Sequence, residues 1–292
     1  MRQVKRKSDR IARKTIAVAL AGLCALAAPV RAEDLKPKTI EAFDHYVRLT
    51  EAQIDAELAR RGPFLWIENL PKDRRAEAEA QLRAGQVVIE RLDTLNSSDH
   101  GKPISVENGM IRHWIGTVFI PGATLAQTLA LEEDYDHHHD FFRPDVMRSK
   151  ILRHDGNDFT IELRLYKKVI TTVLDTEHEV HYTFLDSTHA WSRSRTTRIQ
   201  EVDNAGEKDE RLQPAGHDRG FLWRMNTYWR FEEKDGGTYV ECQSISLTRD
   251  IPTGLGWLIG PYVTSVPRES VTFTLATTRS AVFKGIATHA AE

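Results

Sequence analysis

The spacing of apolar residues changes partway along the chain, and the change divides it into two kinds of structure. Ile40, Phe43, Val47, Ile54 and Leu58 recur near helical spacing with charged residues between them, which predicts an amphipathic helix stopped by Gly62-Pro63. Phe64-Leu65-Trp66-Ile67 is a short apolar contact that ends by Pro71. Asp73 to Ala84 is rich in Ala, Glu, Gln and Arg and predicts a second helix closed by Gly85. Val87-Val88-Ile89 has strand composition, and Asn96 to Gly101 reads as a polar loop.

From Met110 onward the period is two. Met110 to Ile120 predicts a strand ended by Pro121-Gly122, and Thr124 to Tyr135 predicts a helix. A short helical turn near Asp140 to Phe142 is broken by Pro144. Phe159, Ile161, Leu163 and Leu165 then alternate with Thr160, Glu162, Arg164 and Tyr166 in a half-buried strand. Val169 to Leu174, Val180 to Phe184 and Ala190 to Val202 continue the run. Next, Phe221, Trp223, Met225, Thr227, Trp229 and Phe231 share one strand face, opposite Leu222, Arg224, Asn226, Tyr228 and Arg230. Asp235-Gly236-Gly237 supplies the turn and Tyr239 to Arg249 returns. Residues 251–263 form an apolar loop with three glycines and two prolines. Ser265 is the expected N-cap of a last helix, with Pro267 in its first turn and Val271, Leu275, Ala276 and Val282 near one face.

Consecutive strands without crossover helices require antiparallel pairing. The expected fold class is therefore α+β: a curved antiparallel sheet of about seven strands wrapped around a long C-terminal helix, with an N-terminal helical extension.

Composition adds a compartment. Arg2, Lys5, Arg6, Lys7, Arg10, Arg13 and Lys14 precede an apolar run, Ile16 to Val30, which ends at Val30-Arg31-Ala32 with small residues where a signal peptidase reads. Residues 1–32 are expected to be a signal peptide, 33–84 the helical extension and 85–287 the main domain, in an exported protein, periplasmic or secreted. Arg13-Lys14 is a weak echo of a twin-arginine pair. The first 32 residues carry eight Lys/Arg and one Asp. Without them 32 basic and 41 acidic residues remain, a net charge of −9, which is unsuited to nucleic acid or an anionic membrane. Cys24 lies in the signal, so Cys242 is the only later thiol and no internal disulfide is expected. No later segment is apolar enough to span a bilayer.

The order of strand, helix pair, about six strands and a long terminal helix resembles the START-like, or SRPBCC, helix-grip superfamily over residues 105–287. Ile120-Pro121-Gly122-Ala123-Thr124, Asp134-Tyr135 and Phe142-Arg143-Pro144-Asp145-Val146 resemble the helix pair after its first strand. Within it, Ile251-Pro252-Thr253-Gly254-Leu255-Gly256-Trp257 is similar to a segment of exported bacterial members without a characterised activity. The resemblance implies a cavity for a lipid, sterol or polyketide; a few members are cyclases or hydrolases.

The chemistry-bearing residues leave binding as the main expectation. The anticipated partner is a small hydrophobic, lipid-like ligand held by Trp223, Met225, Trp229, Phe231, Phe159, Ile161, Leu163, Leu165 and Trp257. The loop 251–263 is either a lid or a packed connection. An enzyme is the alternative, with His113, Tyr228 and Glu241 pointing inward, and a protein-interaction module built on 33–84 and the 251–263 loop is another. Asp134 to Asp140 contains three consecutive histidines, which point in different directions on any regular element, so no metal site is expected. Glu177, Glu179 and His181 share a strand face, and Arg193, Arg195 and Arg198 are expected to make cross-strand ion pairs. No cofactor is called for: phosphate loop, nucleophile elbow and His-Glu-x-x-His motifs are absent from the sequence. Catalytic residues and oligomeric state are left unassigned.

Overall fold

In the computed structural model, residues 33–60, 62–96, 102–104, 106–168, 171–250 and 256–289 are described; the expected signal segment and Val169 lie outside them. Helix α1 (Pro37–Leu58) begins with proline at its N-terminus, where a missing N–H costs nothing. A 3-10 turn (Trp66–Asn69) leads into α2 (Lys72–Arg83), after which Gly85 takes the left-handed conformation at φ 77°. Short strands follow or flank these helices: β1 (Glu33–Asp34), β2 (Val88–Arg91), β3 (Leu95–Asn96) and β4 (Lys102–Pro103).

The long strand β5 (Gly109–Pro121) precedes α3 (Leu125–Glu132), whose N-cap Thr124 accepts from Gln127 N–H in a capping box. One 3-10 turn (Tyr135–His137) and the short α4 (His138–Phe141) complete the expected helix pair. Seven strands come next: β6 (Val146–Asp155), β7 (Asp158–Lys167), β8 (Thr172–Phe184), β9 (His189–Asp203), β10 (Arg211–Leu212), β11 (His217–Asp218) and β12 (Arg224–Lys234). The two-residue turn Asp235-Gly236, both at positive φ, joins β12 to β13 (Gly237–Arg249), as its composition predicts. Helix α5 (Gly256–His289) closes the described chain.

The main sheet has the order β2-β5-β13-β12-β9-β8-β7-β6, with β10 beside β9, and every pairing is antiparallel. The first long strand thus pairs with the last, and α5 lies on the inner face against β5 and β13. Gly116 permits that approach, because a Cβ there would stand 2.9 Å from Leu275 Cδ1. The inner core joins Val118, Ile120, Phe231 and Val240 to Val271, Leu275 and Val282 of α5. This is the helix-grip arrangement.

The opposite, outer face is covered as well. Phe43, Tyr46, Val47 and Ile54 of α1 bury against Tyr228, Ile245 and Leu247. The apolar contact around Leu65 and Ile67 packs with Leu82, Phe119 and Tyr239. Residues 33–84 therefore form the outer layer of a helix–sheet–helix stack, and β1 pairs with β11.

Three expectations change. Residues 146–155 form a strand the alternation did not reveal, because β6 is a largely exposed edge with two register irregularities. The two predicted strands near Leu174 and Val180 are one strand, β8. The last helix begins at Gly256 rather than near Ser265, so helical structure occupies 256–263 of the expected loop; residues 251–255 lie outside the described set. Glycine and proline there acted as breakers only in the sequence reading, and context overrides propensity.

Candidate functional site

Register converts the strand pattern into a map of the inner face. Phe231 is opposite Val240 and Ala190, and Val240 is opposite Val118, so one cross-strand row is wholly apolar. The next row runs Gly116, Cys242, Trp229, Ser192, Tyr182. Trp229 and Phe231 lie parallel, with ring centroids 6.2 Å apart. Phe159, Ile161 and Leu163 extend the apolar surface onto β7.

On the central strand β12 the two faces differ sharply in exposure. Asn226, Tyr228, Arg230 and Glu232 on the outer side are all buried, under α1 and its flanking segments. Met225, Thr227 and Trp229 on the inner side are only half-buried. A central strand beneath a helix keeps its side chains accessible only where the helix stands away from it. The inner face thus offers open, partly aromatic surface.

Two polar clusters hold the helices over that face, and a third lies on the sheet itself. The buried carboxyl of Glu132, at the end of α3, accepts from Thr278 Oγ1 of α5 at 2.9 Å, and burial raises its pKa to about 7. The Tyr135 and Tyr182 hydroxyls are 2.8 Å apart. The Glu132 carbonyl accepts from Tyr182 Oη at 3.4 Å and from His138 Nε2 at 3.1 Å. On the sheet, His178 is buried with Nε2 2.9 Å from Thr176 Oγ1, and desolvation lowers its pKa to about 4. His178 is thus a neutral imidazole at neutral pH and Glu132 a carboxyl that titrates near it, both on the inner side.

The predicted ligand residues are placed as follows. Met225, Trp229, Phe231, Phe159, Ile161 and Leu163 face inward. Leu165 also does, in a separate corner cluster with Phe142, Val146, Leu174 and Ile199. Trp223 does not. It is buried in the outer cluster, its indole N–H donating to Asp218 Oδ1 at 3.1 Å. The reason is local: β12 starts at Arg224, and Gly220, at φ 73°, packs against the Trp223 ring and turns the chain before the alternation begins. Trp257 is in α5, with its side chain outside the described residues.

His113, Tyr228 and Glu241 face outward, contrary to the enzyme expectation. His113 Nδ1 is 2.9 Å from Tyr46 Oη and its Nε2 is 2.7 Å from Gln243 Nε2; burial lowers its pKa to about 3. Tyr228 donates to Glu51 at 3.0 Å. Glu241 accepts from Trp66 N–H at 2.8 Å and Thr117 Oγ1 at 3.3 Å, near Arg230, which itself binds Glu57 at 2.6 Å. Parity alone could not tell these outer positions from inner ones, because both faces are covered.

The remaining polar motifs have structural partners. Arg195 pairs with Glu179, Arg198 with Glu177, and Arg193 with Asp55 of α1, all on the outer side. His181 binds Asp158. His137 binds Asp134, His138 points inward, and His139 Nδ1 contacts Ser149, so the three histidines diverge. Among the described residues no helix is long and apolar enough to cross a membrane.

The first strand paired with the last, a helix pair after the first strand and a terminal helix gripped by the sheet define the architecture. The fold is START-like. No family model and no curated protein matches the chain. Solved structures to which it is similar include a Thermus thermophilus protein, with TM-score 0.43, 15% identity, and 59% of this chain and 97% of that chain covered. Another is the Zhui aromatase/cyclase from a Streptomyces species, with TM-score 0.43, 12% identity, and 61% and 96% covered. A third is a STAR-related lipid transfer protein fragment from Xanthomonas axonopodis, with TM-score 0.40, 18% identity, and 61% and 95% covered.

Proposed function

We propose that this is an exported protein that binds a small hydrophobic, lipid-like ligand between the inner sheet face and α5. The observation that carries the reading is the exposure contrast on β12. Asn226, Tyr228, Arg230 and Glu232 of the outer side are buried, whereas on the inner side only Phe231 is, and Met225, Thr227 and Trp229 stay half-buried beside it. The positively charged, apolar-cored segment 1–32 supports export. Organic extraction of purified protein followed by mass spectrometry tests binding. The expected result is a stoichiometric apolar compound, or uptake of an added naphthyl probe with a change in tryptophan fluorescence. Neither extracted compound nor probe uptake overturns it.

A second reading, a cyclase or hydrolase acting on the same face, is favoured by Glu132 and His178, two buried ionisable groups on that side. Incubating the extracted compound's precursor pool with protein and with the Glu132→Gln variant separates the readings: catalysis requires a change in compound that the variant loses.

A further inference from the structure

The inner face is graded in polarity along its strands, and the grading is set by register. Beyond the apolar row at Phe231 and the mixed row at Trp229 lies the row Trp114, Ser244, Thr227, Ser194, Val180. Three adjacent strands, β13, β12 and β9, thus present a hydroxyl side by side at the centre of the sheet. The following row, Arg112, Ser246, Met225, Thr196, His178, is also largely polar. Apolar residues would fill these positions in a plain hydrophobic core. Leu275 and Val271 of α5 meet the sheet at Gly116, one row away on the apolar side.

Two observations point to a ligand group at this row. The Trp114 indole Nε1 is buried without a hydrogen-bond partner, which native proteins rarely tolerate. Thr227 and Ser244, on central strands, remain half-buried, so their hydroxyls border accessible space. Indole N–H can only donate, and a serine or threonine hydroxyl can turn to donate. The group that suits them together is an acceptor oxygen.

We infer that the Ser194–Thr227–Ser244 row, closed by Trp114, is the subsite for a carbonyl or hydroxyl oxygen on an otherwise apolar ligand. The ligand's hydrocarbon end then lies toward Trp229 and Phe231. This rests on the binding reading above and narrows it to a preference for oxygenated apolar molecules over plain hydrocarbons.

The test compares methyl naphthyl ketone with ethylnaphthalene, which share the ring and a two-carbon side chain and differ in the carbonyl oxygen, by titrating tryptophan fluorescence. The full chain as purified is expected to prefer the ketone about tenfold, because a site built for a polar group discriminates against the analogue lacking it. The triple variant Ser194→Ala, Thr227→Val, Ser244→Ala should bring the two affinities within about twofold while retaining ethylnaphthalene binding. That retained binding shows the variant is folded. Equal affinities in the unaltered protein, or an unchanged preference in the variant, overturn the subsite alone. Binding of neither probe overturns the subsite together with the binding reading.

Discussion

Buried carboxyls and histidines set how this protein responds to pH. Glu132 has one side-chain partner, Thr278, and its pKa is raised by burial from 4.5 to about 7. A folded pKa above the unfolded one means that the neutral carboxyl's contribution is fully present below about pH 4.5 and is lost as pH rises through about 7. Glu241 is shifted the same way, chiefly by burial. The stability that these two carboxyls contribute should therefore decline across this window, while the buried His113, His138 and His178, whose pKa values are lowered, act in the opposite sense. Glu132→Gln, which keeps the acceptor for Thr278, should remove roughly half of the decline and raise stability at about pH 8 by about 1–3 kcal/mol. Denaturant unfolding at both ends of the window checks this; an unchanged slope would show that Glu132 is not buried as described. On the outer side, Tyr46 Oη contacts His113 Nδ1 and accepts from Thr94 N–H at 2.7 Å. Tyr46→Phe should cost about 1–3 kcal/mol in the same assay, with secondary structure retained. None of these roles was legible in the residues themselves: Glu132 reads as the charged end of a helix, and His113 as a polar group pointing into the cavity.

At the scale of elements, pattern was legible where one face met solvent and failed where both or neither did. The alternation of Phe159 to Leu165 placed β7 correctly, since its other side carries exposed ion pairs. The exposed edge β6 carried no such contrast. For β12 the alternation was visible but its direction was not, because the outer face has a helical cover of its own, α1, in addition to α5 on the inner face. The Trp223 error belongs to this level too, since a turn at Gly220 shifts parity just before the strand. The contact of α5 with β5 yields a sharp expectation. Gly116→Val places carbon where Leu275 and Val271 already sit, at 2.9 and 3.3 Å from the first added atom. It should destabilise by about 1–3 kcal/mol, whereas Gly122→Ala, with open space around it but φ 75°, should cost less than that. Comparing the two melting temperatures decides whether steric contact with the helix, rather than backbone freedom, is what the glycine provides.

For the whole molecule, the N-terminal segment is the part that changes the picture. It reads from sequence as an extension outside the family resemblance, yet its buried groups are the sheet's own outer core. Deleting residues 33–84 should therefore leave a chain that aggregates or loses near-ultraviolet dichroism; a soluble, cooperatively folded remainder would contradict the stacked arrangement. The cover also imposes an order in time. Glu51 meets Tyr228, Glu57 meets Arg230 and Trp66 meets Glu241, partners 177, 173 and 175 positions apart. During synthesis α1 emerges long before the hairpin it rests on exists, so its apolar side stays without its native surface until the last strands are made. Docking of α1 is then a late step on the folding path. Phe43→Ala should accelerate unfolding several-fold while leaving the refolding rate nearly unchanged, and stopped-flow measurements of both limbs would reveal which end of the chain finishes the protein.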